Sequence, residues 1–278
     1  MRKSLVVGLV LVVLLGGLGT GGWFAYRYLY ERFTPEVCQV LIPDASPTTL
    51  TREQMHNASI IVAASVERGL PEQAAIVAIA TAYQESSLRN LDYGDRDSLG
   101  LFQQRPSYGW GTAEEIMDPW YAANRFYEEI VKFDNWETTD VNDLAQKAQR
   151  SGHPEAYRKH ETNARAVAGA LRGSRPASLS CLSFEDAPTA DPAAFERVLA
   201  TFGEDLKTAI DDQTMTLEAS DATTLWAAAQ QVVANSYAAG VTSVVVGGQE
   251  WTASRQDWHE AAAPAPAETA VVTLGKQR

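Results

Sequence analysis

Glu85 stands at the polar end of a long apolar stretch of the chain. Residues 76–83 are almost entirely apolar and are followed by the polar run Gln-Glu-Ser-Ser. A carboxyl group at the end of an apolar helix loses hydration, which raises its pKa toward the range where it can act as a general acid. Protonation of a glycosidic oxygen needs such an acid. The sequence therefore predicts Glu85 as a proton donor for glycan cleavage; the alternative is a solvated carboxylate at a helix end.

The region from Thr51 to Arg172 has the pattern of several helices that would position this carboxyl group. Thr51 and Gln54 match a capping box, and Pro71 suits the first turn of the helix that bears Glu85. Predicted helix starts are Thr51, Pro71, Asp118, Asp140 and Pro154, the last of these helices ending at Leu171. Residues 90–110, rich in glycine and proline, form the least helical segment, and such loops often have functional roles.

Three short motifs in this region resemble those of a known family. Glu-Ser at 85–86, Gly-Leu-Phe-Gln at 100–103 and Pro-Ser at 106–107 are similar to the Glu-Ser, Gly-Leu-Met-Gln and Pro-Ser elements of soluble lytic transglycosylases, in the lysozyme-like superfamily. The resemblance implies that Glu85 is the lone acid/base and that Ser86 orients it or the substrate. It also implies a sugar cleft lined by Gly100, Leu101, Phe102 and Gln103.

The chain departs from the family pattern in three places, one of which is an unusually acidic insert at residues 90–98. Phe102 stands where the family usually has methionine. The family's later Ala-Tyr-Asn motif, which supplies a tyrosine near the acid, has no clean match; residues 144–149 with Tyr157 further on are a loose substitute, so the partner of Glu85 stays open. Tyr108 and Trp110 are predicted to stack on sugar rings, with core packing as the alternative.

A single glutamic acid suits a lytic reaction, as the resemblance implies, whereas a lysozyme-type hydrolase needs a second carboxylate. Asp92, Asp95 and Asp97 are the candidates for that second group, which leaves hydrolysis open. Their spacing is faintly like a calcium loop but lacks the downstream glutamate of an EF-hand. The four histidines are scattered, so we predict no metal and no cofactor.

The N-terminal segment and the two cysteines indicate export. Arg2 and Lys3 precede an uncharged run from Leu5 to Gly22, about the length that crosses a bilayer. We predict a membrane anchor over 1–32 and a single-pass protein with its C-terminal part outside; the alternative is a secreted protein after signal cleavage. Cys38 and Cys181 are predicted to form a disulfide in an oxidising compartment, with two free thiols as the alternative.

The net charge limits the class of partner, and changes in composition along the chain indicate the domain boundaries. A net charge of -12 argues against nucleic acid but not against a neutral glycan. After the helical domain (51–173) we predict a linker (174–190), a small α+β accessory domain (191–260) that binds the wall or an envelope protein, and an unfolded tail (261–278). In the accessory domain, helical spacing from Phe195 to Ile210 predicts a single helix, and Gly247-Gly248 predicts a hairpin turn.

Together these patterns predict a mainly α protein: a lysozyme-like helical domain followed by a small α+β domain, with an N-terminal transmembrane helix. The predicted function is cleavage of peptidoglycan glycan strands by a lytic transglycosylase or a lysozyme-type glycosidase. The alternative is a non-catalytic envelope protein whose lysozyme-like cleft binds a glycan or a protein partner.

Overall fold

The computed structural model describes residues 22–185 and 188–276. The chain divides into two units, Met1–Glu36 and Val37–Arg278. In the first unit residues 22–33 are helical (α1), and nearly all of its described side chains are exposed.

The second unit contains a group of helices that follow one another from residue 52 to residue 171. They are α2 (Arg52–Glu67), α3 (Glu72–Ser86), α4 (Ala113–Ile116), α5 (Pro119–Ile130), α6 (Val141–Gln149) and α7 (Glu161–Leu171). The predicted capping box at Thr51 is confirmed, as are the caps of α5 by Asp118 and α6 by Asp140. Helix α3 is apolar on all sides, and α2, α5, α6 and α7 surround it.

A three-stranded antiparallel sheet in the order β2-β1-β3 brings the two ends of this helical group together. Its strands are β1 (Cys38–Ile42), β2 (Ala45–Leu50) and β3 (Leu179–Cys181). Cys38 lies directly opposite Cys181 in the register of β1 and β3, and the two form the predicted disulfide.

The remaining elements form a six-stranded antiparallel sheet in the order β4-β5-β9-β6-β7-β8 and three helices. The strands are β4 (Leu206–Asp211), β5 (Thr214–Ala219), β6 (Val241–Val246), β7 (Gln249–Thr252), β8 (Trp258–Glu260) and β9 (Thr269–Leu274). The helices are α8 (Ala193–Ala200), α9 (Ala222–Ala234) and α10 (Ser236–Ala239). The predicted turn at Gly247 and Gly248 connects β6 to β7.

Helix α9 packs on both α7 and α2. Two of its glutamine side chains, Gln230 and Gln231, donate hydrogen bonds to backbone carbonyls of α7. The Gln230 amide accepts hydrogen bonds from the backbone N–H groups of Ser178 (3.0 Å) and Leu179 (2.9 Å) and donates to the Ala170 carbonyl (2.8 Å). Gln230 is fully buried. The sheet region is therefore joined to the helical region by a buried, satisfied polar network.

The predicted fold class is wrong. Helices account for 45% of the structure and strands for 20%, in two antiparallel sheets, so the protein is not mainly α. In residues 22–185 and 188–276 no helix has both the length and the apolar character required to cross a bilayer. The predicted spanning segment lies outside the described residues, apart from Gly22 at its end.

Three predictions for the C-terminal half are corrected by the strands. Residues 269–274 of the predicted unfolded tail form β9, in the interior of the six-stranded sheet, and residues 179–181 of the predicted linker form β3. The single helix predicted through Phe195 and Ile210 instead ends at Ala200, and β4 begins at Leu206. Gly203, with φ +56°, separates the two elements.

Candidate active site

Glu85 lies in the last turn of the buried helix α3, where the helix emerges from the core. Its side chain is partly exposed. Burial raises the pKa of the carboxyl group above its ordinary value, and a hydrogen bond from Tyr157 partly opposes this increase. A raised pKa keeps the acid protonated to a higher pH than an exposed glutamate.

The partner of Glu85 is Tyr157, whose hydroxyl donates to Glu85 Oε1 at 2.7 Å. The tyrosine is fully buried, and burial together with the nearby carboxylate raises its pKa above the ordinary value. Tyr157 therefore stays protonated as a donor. The structure thus brings the two side chains together across 72 residues of sequence.

Two side chains that the sequence did not indicate position the segment around Tyr157. Buried Asn142 of α6 donates to the Pro154 carbonyl (2.9 Å) and accepts from the Arg158 N–H (3.1 Å). His160 stacks on Tyr83 of α3 with 5.6 Å between ring centroids. A buried polar residue on an amphipathic helix was the signal available for Asn142, but sequence alone does not show which carbonyl it binds.

The chain leaves α3 through two residues in the left-handed region, Ser87 (φ 55°) and Leu88 (φ 58°). Non-glycine residues adopt this conformation only where their surroundings enforce it. Here Gln54 donates to the Ser87 carbonyl and Asn57 to the Leu88 carbonyl, each at 2.8 Å from α2. Helix α2 therefore fixes the exit of the helix that bears Glu85.

Ser86 joins the loop that contains Leu101 to the end of α3. Its buried hydroxyl donates to the Leu101 carbonyl at 2.7 Å. Gly100 has φ +75°, and a Cβ there would lie 2.7 Å from the Ile116 carbonyl oxygen, so glycine is required. The motif residues 100–103 therefore form a tight turn tied to the end of α3.

The prediction that Leu101 and Phe102 line a cleft is wrong for their side chains, which are fully buried. Phe102 stacks on Phe126 in the core, with 4.7 Å between ring centroids. Gln103 does line a cleft, and its side-chain amide donates to the Tyr93 and Gly100 carbonyls, each at 3.3 Å.

This cleft has a volume of about 450 Å³ and includes Gln103, Tyr108 and Trp110 in its lining. Tyr108 is 69% exposed, with the Arg105 guanidinium 4.3 Å from its ring centroid. The placement of Tyr108 and Trp110 fits sugar stacking, which stays a prediction.

Glu85 does not itself line the cleft, but its partner Tyr157 is close to the cleft wall. Arg150 and Gly152 belong to the lining, and Ser151 between them interacts with the Tyr157 hydroxyl.

Of the three candidate second carboxylates, Asp97 has both of its oxygens in hydrogen bonds within the protein. It accepts from Arg105 Nε (2.7 Å) and from the backbone N–H of Ser107 (2.9 Å). Hydrogen bonds from Ser107 and Arg105 hold the pKa of Asp97 well below its ordinary value, so it stays ionised. Asp92 and Asp95 are exposed. Within the described parts of the chain no three His, Cys, Asp or Glu side chains group as metal ligands do.

Comparison with known proteins adds no family assignment. No family model matches the chain, and no curated protein has a significantly similar sequence.

Proposed function

We propose that this protein cleaves peptidoglycan glycan strands as a lytic transglycosylase, with Glu85 as its acid and base. The observation that supports this most directly is the Tyr157–Glu85 hydrogen bond at the end of a buried helix, beside a cleft with two aromatic side chains. A protonated carboxyl group with one oxygen fixed by a phenol leaves its other oxygen for a substrate. The disulfide favours a location outside the cytoplasm, where such bonds persist.

In the proposed reaction, Glu85 donates its proton to the glycosidic oxygen, and the bond from that oxygen to the sugar C1 breaks. The resulting carboxylate then takes the proton of the 6-hydroxyl of the same sugar, whose oxygen bonds to C1 and closes an anhydro ring. Glu85 ends protonated, and no water is consumed. Tyr157 donates a hydrogen bond to the carboxylate form and so stabilises it when it appears.

The geometry makes Asp97, one of the three candidate second carboxylates, unsuited to hydrolysis. An inverting or retaining hydrolase needs a second free carboxylate about 5 to 9.5 Å from the acid. Asp97 already has both oxygens bound by Arg105 and Ser107.

Product analysis tests the proposal. The full chain would be incubated with purified peptidoglycan, and the soluble fragments analysed by mass spectrometry. Anhydro ends are the expected result. New reducing ends would instead indicate hydrolysis, and retained binding without any product would favour the non-catalytic glycan-binding protein.

The pH dependence of cleavage tests the role of Tyr157. Its hydrogen bond lowers the pKa of Glu85, so Tyr157→Phe should raise that pKa further. The acid form of Glu85 then persists to higher pH, so the alkaline limb of the pH–rate profile should shift to higher pH. The maximal rate should fall about 10- to 100-fold, since a hydrogen bond to the developing carboxylate is lost.

Tyr127→Phe is the matched control, because it also removes a buried hydrogen bond, one to the Ile61 carbonyl (2.8 Å). It should lower stability and leave the pH profile in place. A Tyr157→Phe profile identical to that of the unmodified protein would contradict the assigned role.

A further inference from the structure

The cleft beside Glu85 has an unusual charge for this protein. Four arginines and two carboxylates line it, although the whole chain has a net charge of -12. The charged lining residues are Asp95, Arg96, Arg105, Arg125, Glu129 and Arg150. A positive cleft on an acidic protein concentrates anions at one place while the rest of the surface repels them.

Half of these arginines are already neutralised by a close acidic partner. Arg105 Nε lies 2.7 Å from Asp97, and Arg125 Nη1 lies 2.7 Å from Glu128. One of the two lining carboxylates is neutralised too, because Glu129 lies 2.7 Å from Lys132 Nζ.

The charged lining residues without a close partner among residues 22–185 and 188–276 are Arg96, Arg150 and Asp95, two positive charges and one negative, which leaves one net positive charge for a ligand. Arg96 approaches only Asp95, at 3.9 Å with both side chains mostly exposed, a contact that contributes little. Arg150 is exposed at the end of α6, in the left-handed conformation (φ 53°), and has no ion pair among residues 22–185 and 188–276. Both lie on the same cleft as the aromatic side chains.

We propose that Arg96 and Arg150 select glycan strands that bear carboxylates, and that neutral sugar polymers are poor ligands. This inference rests on the proposed function, since it concerns the cleft beside Glu85. A guanidinium binds a carboxylate through paired N–H donors, which gives both charge and geometric selectivity. In peptidoglycan the carboxylate comes either from the stem peptide or, once that peptide is removed, from the lactyl group of the sugar.

Equilibrium binding to three oligomers of equal sugar length tests the inference. They are neutral chitin oligomers, peptide-free glycan with lactyl carboxylates, and glycan with its peptides. The Glu85→Gln full chain is used so that no ligand is consumed. We expect the preferred carboxylate-bearing oligomer to bind about tenfold more tightly than chitin at low salt, with the difference shrinking as salt is raised. Whichever of the two carboxylate-bearing oligomers binds more tightly identifies the source of the carboxylate.

Charge variants in the same background identify the residues. Arg96→Gln combined with Arg150→Gln should lower the affinity for the carboxylate-bearing oligomers to that for chitin, whereas the two lysine substitutions should retain part of the preference. Arg165→Gln is the matched control, because Arg165 is a half-exposed arginine of α7 paired with Glu161.

Equal affinity for all three oligomers, or a preference that survives loss of both arginines, would overturn the inference. Cleavage by the unmodified chain is measured separately on the same oligomers. Cleavage without carboxylate preference defeats the inference alone. Selective binding without cleavage defeats the proposed function and supports the charge selection.

Discussion

Replacing Glu85 by glutamine is expected to reduce glycan cleavage by about 10²- to 10⁴-fold, the usual contribution of a general acid or base. Glutamine has the same shape but neither donates nor takes up the proton at the glycosidic oxygen. The rate of formation of anhydro products, measured at saturating peptidoglycan, checks the prediction. Retention of full activity would show that another group is the acid.

Glu72→Gln is the matched control because it removes a carboxylate from the first turn of the same helix. At 1.5 Å per residue that turn is roughly 20 Å from Glu85, so cleavage should be nearly unchanged.

Stability provides a second and independent measure of the same substitution. The pKa of Glu85 is raised in the folded protein, so the ionised form is disfavoured there relative to the unfolded chain. This penalty is complete above the folded pKa and disappears as the pH falls below the unfolded value, near 4.5. Glu85→Gln should therefore melt at a higher temperature than the unmodified protein at pH 7, with the difference vanishing at low pH. A lower melting temperature at neutral pH would contradict the burial argument.

Loss of the Cys38–Cys181 disulfide is expected to lower the free energy of unfolding by about 3 to 5 kcal/mol. The bond closes a loop of sequence separation 143, which contains all of helices α2 to α7. Without it, the unfolded chain gains the freedom to separate β1 from β3, which are adjacent only in the fold. Chemical denaturation of the Cys38→Ala, Cys181→Ala double variant measures the change. Alanine is chosen because both positions are fully buried and a serine hydroxyl would lose hydration there.

Reductant distinguishes the cross-link from the cavity that alanine leaves. It should destabilise the unmodified protein by a similar amount and have no effect on the double variant. If the midpoint of the unmodified protein does not respond to reductant, the cross-link contributes no stability.

Local signals in the sequence predicted the elements around Glu85 well. The Thr51 capping box, Asp118 with Pro119, and Asp140 mark helix starts through contacts within three residues. The all-apolar stretch before Glu85 predicted a buried helix with a carboxyl group at its end. Both signals depend only on neighbours along the chain, so they are readable without the fold.

In the C-terminal half, local sequence patterns that favour one type of element are overridden by the sheet. Leu206 and Ile210 extend the helical spacing of α8, but that helix ends at Ala200, before Gly203, and both residues belong to β4. In β9 the side chains of residues 270, 272 and 274 alternate inward, a period-two pattern obscured by the alanine- and proline-rich segment before it. An alternating strand of six residues gains its stability from two neighbouring strands, which only the sheet supplies.

The sequence by itself determined the candidate acid and the buried helix that bears it. Only the tertiary structure decided that Tyr157 is the partner of Glu85, that Leu101 and Phe102 pack into the core, and that Arg96 and Arg150 share one cleft. The physical reason is the sequence separation over which each interaction acts. Helix caps and burial patterns arise from neighbours a few residues apart, whereas a hydrogen bond across 72 residues exists only after α3, α6 and α7 have packed together.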